Sequence, residues 1–526
     1  MKNMENVSKS QKIPTSLLIF IIGVFMAALD NGIISAALTT INQSFQVSAT
    51  EGAWGITLYT LGMAVSTPIV GKLADRYGRK KLFLIEILIF GLGSLLVALS
   101  PSFAFFLTAR LIQSFGGGGI FIIASSHVLS TMPKDRQGSL LGILGAMNGI
   151  ASVLGPNIGS FLLDWTGSWH WLFLINVPIA LLLLIFGLFV IPETKGNVLS
   201  KTDFWGIVFL STAILSIMFA ITNLGSDDLL GSFLSLKVLG LLVLGILLFI
   251  ILILIERSNP KRNVDSILPF SLLRQKAYLL TLLMGFLSGT LIAAVIFVPS
   301  FVQAILGVSA ANSGYWMTPL ALAAGVGASM GGIFVDKQGP VKTLVYASII
   351  TVIGFGWLAY FADTKPLFIA ASIVAGIGFG FLIGAPLSVL ASNAAGEEKG
   401  SALGTLSVAR QIGLTIAPTI YATLIQNGFG QLKTIIPENL QKNGISPQDI
   451  PASEWEKFTS NAGNANDLAS QIDKIPVPQI QSALENSLHQ AAELAYQHVF
   501  LTASIMAFLI LPLAFLLWRN LRKKNA

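Results

Sequence analysis

The sequence predicts an all-α polytopic membrane protein of about fourteen spanning helices, built from two similar halves. Three observations carry that prediction. Hydrophobic residues make up 54% of the 526 and charged residues only 11%, with a mean hydropathy of +0.76, whereas a soluble domain is about one-quarter charged. The charges cluster in short segments between apolar runs of about 20 residues, the length that crosses ~30 Å of hydrocarbon. Finally, the framework Gly71-Lys72-Leu73-Ala74-Asp75-Arg76-Tyr77-Gly78 returns 261 residues later as Gly332-Ile333-Phe334-Val335-Asp336-Lys337-Gln338-Gly339. Each copy lies between two apolar runs, and a repeat at half-length inside a membrane chain points to a transporter-like bundle of two halves.

Taken in order, the apolar runs place spans near 15–39, 53–73, 82–100, 103–129, 139–163, 171–191 and 203–223, then near 233–255, 277–303, 311–334, 341–361, 366–391, 401–425 and 497–518. The first follows Lys2, Lys9 and Lys12 as a signal peptide would, but it exceeds the 7–15 apolar residues of one and is expected to remain as span one. Cations fall in alternate loops: Gly71 to Lys81, Lys134 and Arg136, Lys195 and Lys201, Arg257 to Lys276, Lys337 and Lys342, Lys399, and the tail from Arg519 to Lys524. The positive-inside rule then puts both termini in the cytoplasm. The division expected is a six-helix bundle over 1–192, two additional helices and a charged linker over 193–276, and a second six-helix bundle over 277–526. The second bundle carries a long extracellular loop, 426–497. At the end of that loop Ile480, Leu484, Leu488, Ala491 and Ala495 keep helical spacing, which predicts a helix running into the last span.

Several function classes are excluded. The net charge of +7 is spread over alternate loops rather than gathered into a nucleic-acid patch. With no cysteine and four scattered histidines, neither a thiolate nucleophile nor a metal site is expected. No Gly-x-x-x-x-Gly-Lys-Ser/Thr loop and no Gly-x-Ser-x-Gly elbow occurs, so neither a nucleotide-driven pump nor an enzyme is expected.

In the repeated loop, Gly71 and Gly78 allow a tight turn and close helix approach. Asp75 can accept from a helix N-terminus or pair with a cation, and Arg76, Arg79 and their neighbours hold the loop at the interface. Asp336 and Gly339 fill the same places in a weaker second copy, so Asp75 is expected to matter more than Asp336. Asp30 stands inside span one, where a carboxylate is functional by default. At ~1.5 Å per residue, Asp30 and Arg110 of span four lie at similar depth and are expected to pair. Glu86 and Arg410 are expected to snorkel or pair at the cytoplasmic mouth, and His127 to be solvated or to cap a helix end.

The stretch from Gly71 to Lys80 resembles the signature loop of the major facilitator superfamily, which that family places between spans two and three. Leu29-Asp30-Asn31-Gly32-Ile33-Ile34 is similar to the span-one motif of its fourteen-span drug:proton antiporters, with Gly32 where Thr is usual. Arg110-Leu111-Ile112-Gln113-Ser114-Phe115-Gly116 resembles the span-four motif, and Trp169-His170-Trp171-Leu172-Phe173 the segment before span six. Gly145, Gly149, Gly155, Pro156 and Gly159 resemble the antiporter helix, in which Pro156 lets the helix bend. The resemblance implies a major facilitator fold of two six-helix bundles plus two extra linker helices, 14 transmembrane helices in all. It implies a proton-coupled exporter of amphipathic small molecules, of drug or multidrug efflux type, or else an exporter or flippase of an endogenous lipid or metabolite. Such a protein would be a monomer in a bacterial plasma membrane, using no cofactor but the proton gradient. Asp30 and Arg110 would couple the proton, and the Asp75 and Asp336 loops would latch the outward-facing state. Asn31, Tyr59, Gln113, Asn148, Gln303 and Arg410 are candidates to line a substrate cavity.

Overall fold

The computed structural model describes residues 14–194, 201–225, 228–259, 264–442 and 478–525. The cations expected at Lys195, Lys261 and Arg262, and most of the loop beyond 442, lie outside the described residues. Among those described, thirteen helices or end-to-end helix pairs are long and apolar enough to cross a bilayer. Lys134–Thr166, bent by 41°, brings the number to fourteen.

The first group comprises α1 (Thr15–Phe45), α2 (Trp54–Tyr77), α3 (Arg79–Ala98), α4 (Phe103–Gly117), α5 (Ile120–Thr131), α6 (Lys134–Thr166), α7 (His170–Leu174) and α8 (Asn176–Val190). Two departures from continuous spans matter later. Span four is not one helix, because Gly116 to Gly119 break it into α4 and α5. Span six breaks at Ile175, so that α8 begins with Asn176. The bend in α6 has a local cause: Pro156 offers no N–H to the carbonyl of Ser152 one turn earlier. The freed Ser152 oxygen lies against Gly32 of α1, where a Cβ would come within 2.6 Å of it and 2.8 Å of Gly155 Cα. That contact explains why this chain carries Gly rather than Thr at position 32.

Next come β1 (Lys201–Thr202), α9 (Phe204–Thr222), α10 (Leu236–Ser258) and β2 (Val264–Asp265). The two strands pair in parallel, Lys201 with Val264 and Thr202 with Asp265, and so tie together the two ends of the inserted helix pair. Leu236, Ile246, Leu247 and Leu254 of α10 are exposed, as a face against lipid requires.

The last group is α11 (Lys276–Val295), α12 (Val298–Leu306), α13 (Thr318–Gln338), α14 (Pro340–Tyr360), α15 (Lys365–Ile383), α16 (Pro386–Ala395), α17 (Lys399–Gly430), α18 (Leu432–Lys442) and α19 (Pro478–Asn525). The helix expected to enter the last span is present as the first half of α19. Its buried Leu484, Ala491 and Ala495 pack toward α18, where Asn439 Nδ2 donates to Ser487 Oγ at 3.0 Å. The two groups meet along two seams, α6 on α13 and α2 on α17, with α9 against α2 and α17 beside the second. We call the side carrying the two repeated loops the basic face.

Candidate functional site

Asp30 is wholly buried, and its carboxylate is surrounded by donors. Arg110 Nη1 approaches Oδ2 at 2.8 Å, while Gln113 Nε2 and Asn176 Nδ2 donate to Oδ1, each at 2.9 Å. Gln113 Nε2 also donates to Ser94 Oγ at 2.8 Å, and Arg110 Nη1 to Gln113 Oε1 at 2.5 Å. The Arg110 guanidinium lies 4.0 Å from the Tyr59 ring centroid and 5.5 Å from that of Phe173. Each helix has a reason to be there. Gly93 of α3 lets the Gln113 backbone approach closely, and the break at Ile175 turns the first residue of α8 inward. A buried ion pair survives only when its remaining lone pairs and protons are satisfied, and this network supplies that.

The expected pairing of Asp30 with Arg110 is therefore present, but two cavity candidates are corrected. Tyr59 is 1% exposed and Gln113 fully buried; they complete the shell of the ion pair instead of lining a water-filled space. Gln113 is drawn in by the carboxylate and Tyr59 by the guanidinium. Asn176 and Ser94 were missed as partners of Asp30: Asn176 closely follows the Trp169 to Phe173 segment that resembles the family's, but the resemblance assigned it no role, and Ser94 looks like any polar residue in an apolar run. Asn31, the next residue after Asp30, is exposed. Asn148 is half-buried on α6, and beside it a Cβ on Gly149 would meet no atom within 4 Å. Gln303 donates to Ser313 Oγ at 3.0 Å, tying α12 to the turn before α13 rather than facing the seams. Arg410 reaches Ser288 Oγ with Nε at 3.2 Å, and its Nη2 is buried without a partner among the described residues.

At the basic face the repeated loops form two matching clasps. Asp75 Oδ2 accepts from the backbone N–H of Gly400 at 2.7 Å and of Ser401 at 3.1 Å, in the first turn of α17. Asp336 accepts from the N–H of Gly138 at 2.6 Å and of Ser139 at 2.7 Å, near the start of α6. Each aspartate thus reaches across a seam to the helix start of the other group, where the dipole favours negative charge. Gly71 lies against Gly400 and Gly332 against Gly138 so closely that a Cβ on any of the four would strike the opposite carbonyl oxygen. Gly78 and Gly339, which end the two copies, hold φ at 99° and 86°, a region open to glycine. The backbone bonds of the two clasps are alike, 2.7 and 3.1 Å at Asp75 and 2.6 and 2.7 Å at Asp336. The first clasp differs in its additions: Arg79 bonds Asp75 at 2.9 Å and Ser126 Oγ at 2.6 Å.

The inserted pair joins the same clasp. Asp265 of β2 receives Lys72 at 2.7 Å and Arg76 at 3.3 Å, Lys72 also reaches Glu398 at 3.0 Å, and Ser401 Oγ donates to the carbonyl of Ile267 at 2.8 Å. Close contacts across the seams run from these clasps to Gly325 of α13, whose Cβ would lie 2.9 Å from Ile150.

Two further residues depart from expectation. Glu86 does not snorkel: it is 3% exposed and accepts from the N–H of Gly119 at 2.9 Å. His127 is neither solvated nor a cap. It is 1% exposed, its ring lies 4.7 Å from that of Phe20 with the planes tilted by 35°, and neither ring nitrogen has a hydrogen-bond partner among the described residues.

Comparison with known proteins agrees with this architecture. The sequence profile of the Major Facilitator Superfamily matches residues 20–418. An uncharacterized MFS-type transporter of Bacillus subtilis, YfiU, is 56% identical over 506 residues, 96% of each chain. Multidrug resistance protein 3 of the same organism is 31% identical, over 92% of this chain and 91% of its own. The crystal structure of the human organic anion transporter MFSD10 shares the fold with a TM-score of 0.54 at 15% identity, covering 94% of this chain and 100% of that one. With two repeated clasps, thirteen to fourteen spans and these relatives, the chain belongs to the major facilitator superfamily and is a multi-pass membrane transporter.

Proposed function

We propose that this transporter is a proton-driven exporter of amphipathic small molecules, of the drug or multidrug efflux type, with both termini in the cytoplasm. The observation that carries the reading is the buried Asp30–Arg110 pair, one residue from the exposed Asn31 on α1. A proton arriving from outside on an Asp30 oxygen cancels the carboxylate charge. Arg110 then loses its ion pair and keeps Gln113 Oε1 and the Tyr59 ring, so α4 is free to shift against α1. Loss of that proton to the cytoplasm restores the pair and the starting state. Inward movement of each proton supplies about 2.3 kcal/mol per 100 mV and about 1.4 kcal/mol per pH unit, enough to sustain roughly hundredfold substrate gradients under modest conditions. The name of the Bacillus multidrug relative supports the substrate class.

Both clasps are closed, and the close seam contacts run from the basic face toward mid-membrane. This agrees with a state closed to the cytoplasm, in which substrate has access from outside. Growth of an efflux-deficient bacterial host on a chemically diverse panel of inhibitors tests the proposal. The intact chain should protect against several amphipathic compounds and the Asp30→Asn chain against none. Equal protection by both, or by neither, would contradict it.

A further inference from the structure

We propose that the proton leaves Asp30 toward the cytoplasm through the interior of the first helix group, by way of Glu86 and His127, rather than through the cleft between the halves. This rests on the proton-coupled reading above and concerns the route, not the coupling itself.

The placement comes from two adjacent elements. Along span four, Arg110 precedes Gly119 by nine residues and Gly119 precedes His127 by eight, steps of about 13 and 12 Å at ~1.5 Å per residue. Along α3, Ser94, already hydrogen-bonded to the Asp30 network through Gln113, follows Glu86 by eight residues, so that Glu86 lies nearer the basic face. Beyond His127, its neighbour Ser126 receives Arg79, which holds Asp75. Titratable side chains are thus spaced in one line from the buried ion pair to the basic face.

Glu86 is met by a backbone N–H rather than by a charge, and His127 has no hydrogen-bond partner among the described residues. Glu86 makes no ion pair among the described residues. It meets the Gly119 N–H of α5, while Val70 of α2 lies against that same glycine; its own helix carries Phe90. His127 faces Phe20 of α1, and its neighbour Ser126 holds the Arg79 guanidinium of α3. An acid without a counter-charge and an imidazole without a hydrogen bond are expensive inside a membrane, and are retained where protons move.

The step is conservative in atoms. The proton on Asp30 passes through water to a Glu86 oxygen, from there through further water to a His127 ring nitrogen, and the imidazolium releases it at the basic face. Glu86 accepts from the Gly119 N–H at the glycine break just before α5, so protonation at Glu86 weakens that bond.

The test uses the full chain in liposomes containing a pH-sensitive dye, with export of the compound best resisted in the growth panel. Glu86→Gln should slow substrate-driven proton movement at least tenfold, while the affinity for the same compound, titrated without a gradient, stays within twofold of wild type. Glu86→Asp should restore proton movement. His127→Asn, which removes no hydrogen bond, should slow it as well with binding intact. Wild-type proton movement in both Glu86→Gln and His127→Asn would overturn the route. So would loss of binding in Glu86→Gln together with wild-type proton movement in His127→Asn. Asp30→Asn separates the two claims: if it alone stops proton movement, the route fails and the coupling stands; if it too exchanges normally, both fail.

Discussion

Asp30 holds three side-chain donors from two other helices in a space closed to solvent, so each donor is worth more here than at a surface. A hydrogen bond to a charged group contributes about 1.5–3 kcal/mol. Asn176→Ala, which removes one of two donors to Oδ1, is therefore expected to lower exchange about tenfold or more in a liposome flux assay while leaving the fold intact. Gly32→Thr makes a different case. The space between α1 and the Ser152 carbonyl does not hold a Cβ, and overpacking a tight contact costs about 1–3 kcal/mol. The variant should show a lower melting temperature in detergent, although Thr is the residue the family motif favours there. At this scale the sequence was legible where a residue carried a charge into an apolar run, as Asp30 and Arg110 do. It was not legible for Gln113 and Tyr59, since a polar side chain in a span serves water or a buried charge equally well until the neighbouring helix is placed. Asn176 closely follows the segment from Trp169 that resembles the family's, yet neither it nor Ser94 was marked as a partner of Asp30 short of the fold.

The two clasps join the groups at the basic face, each linking one half to the helix start of the other. Asp75→Asn and Asp336→Asn each remove the charge from two backbone bonds, and the closed population should fall about tenfold or more in either. Because the chain has no cysteine, a spin-label pair introduced by Lys81→Cys and Lys342→Cys, both exposed on the basic face, would read the distance across the seam by electron resonance. Similar lengthening in the two aspartate variants is expected, and lengthening with Asp75→Asn alone would refute the equivalence. The inserted pair adds a third tie. Asp265→Asn should lengthen the same distance by weakening the hold of Lys72 and Arg76 on β2, and it would show that α9 and α10 bear on the gate. The Gly-to-Asp spacing made the repetition legible at half-length. The backbone partners of its copies, Gly138 and Gly400, were not, because they lie far away in sequence and carry no mark of their own.

Across the whole molecule, apolar run length located nearly every span, because the need to satisfy backbone groups in lipid leaves helices as the only option for such segments. Breaks inside spans were less visible: the run Gly116 to Gly119 carries no residue that forbids a helix, and its division of span four shows only in the fold, where Glu86 accepts from the Gly119 N–H. The molecule so assembled holds a charged pair sealed in one half and a basic face closed by aspartates from both, an arrangement suited to admitting a proton from one side at a time. The most direct measurement is substrate-driven proton release from liposomes carrying an imposed pH gradient, comparing the intact chain with Asp30→Asn. The intact chain should release protons on substrate addition and Asp30→Asn should release none; undiminished release from Asp30→Asn would contradict the account.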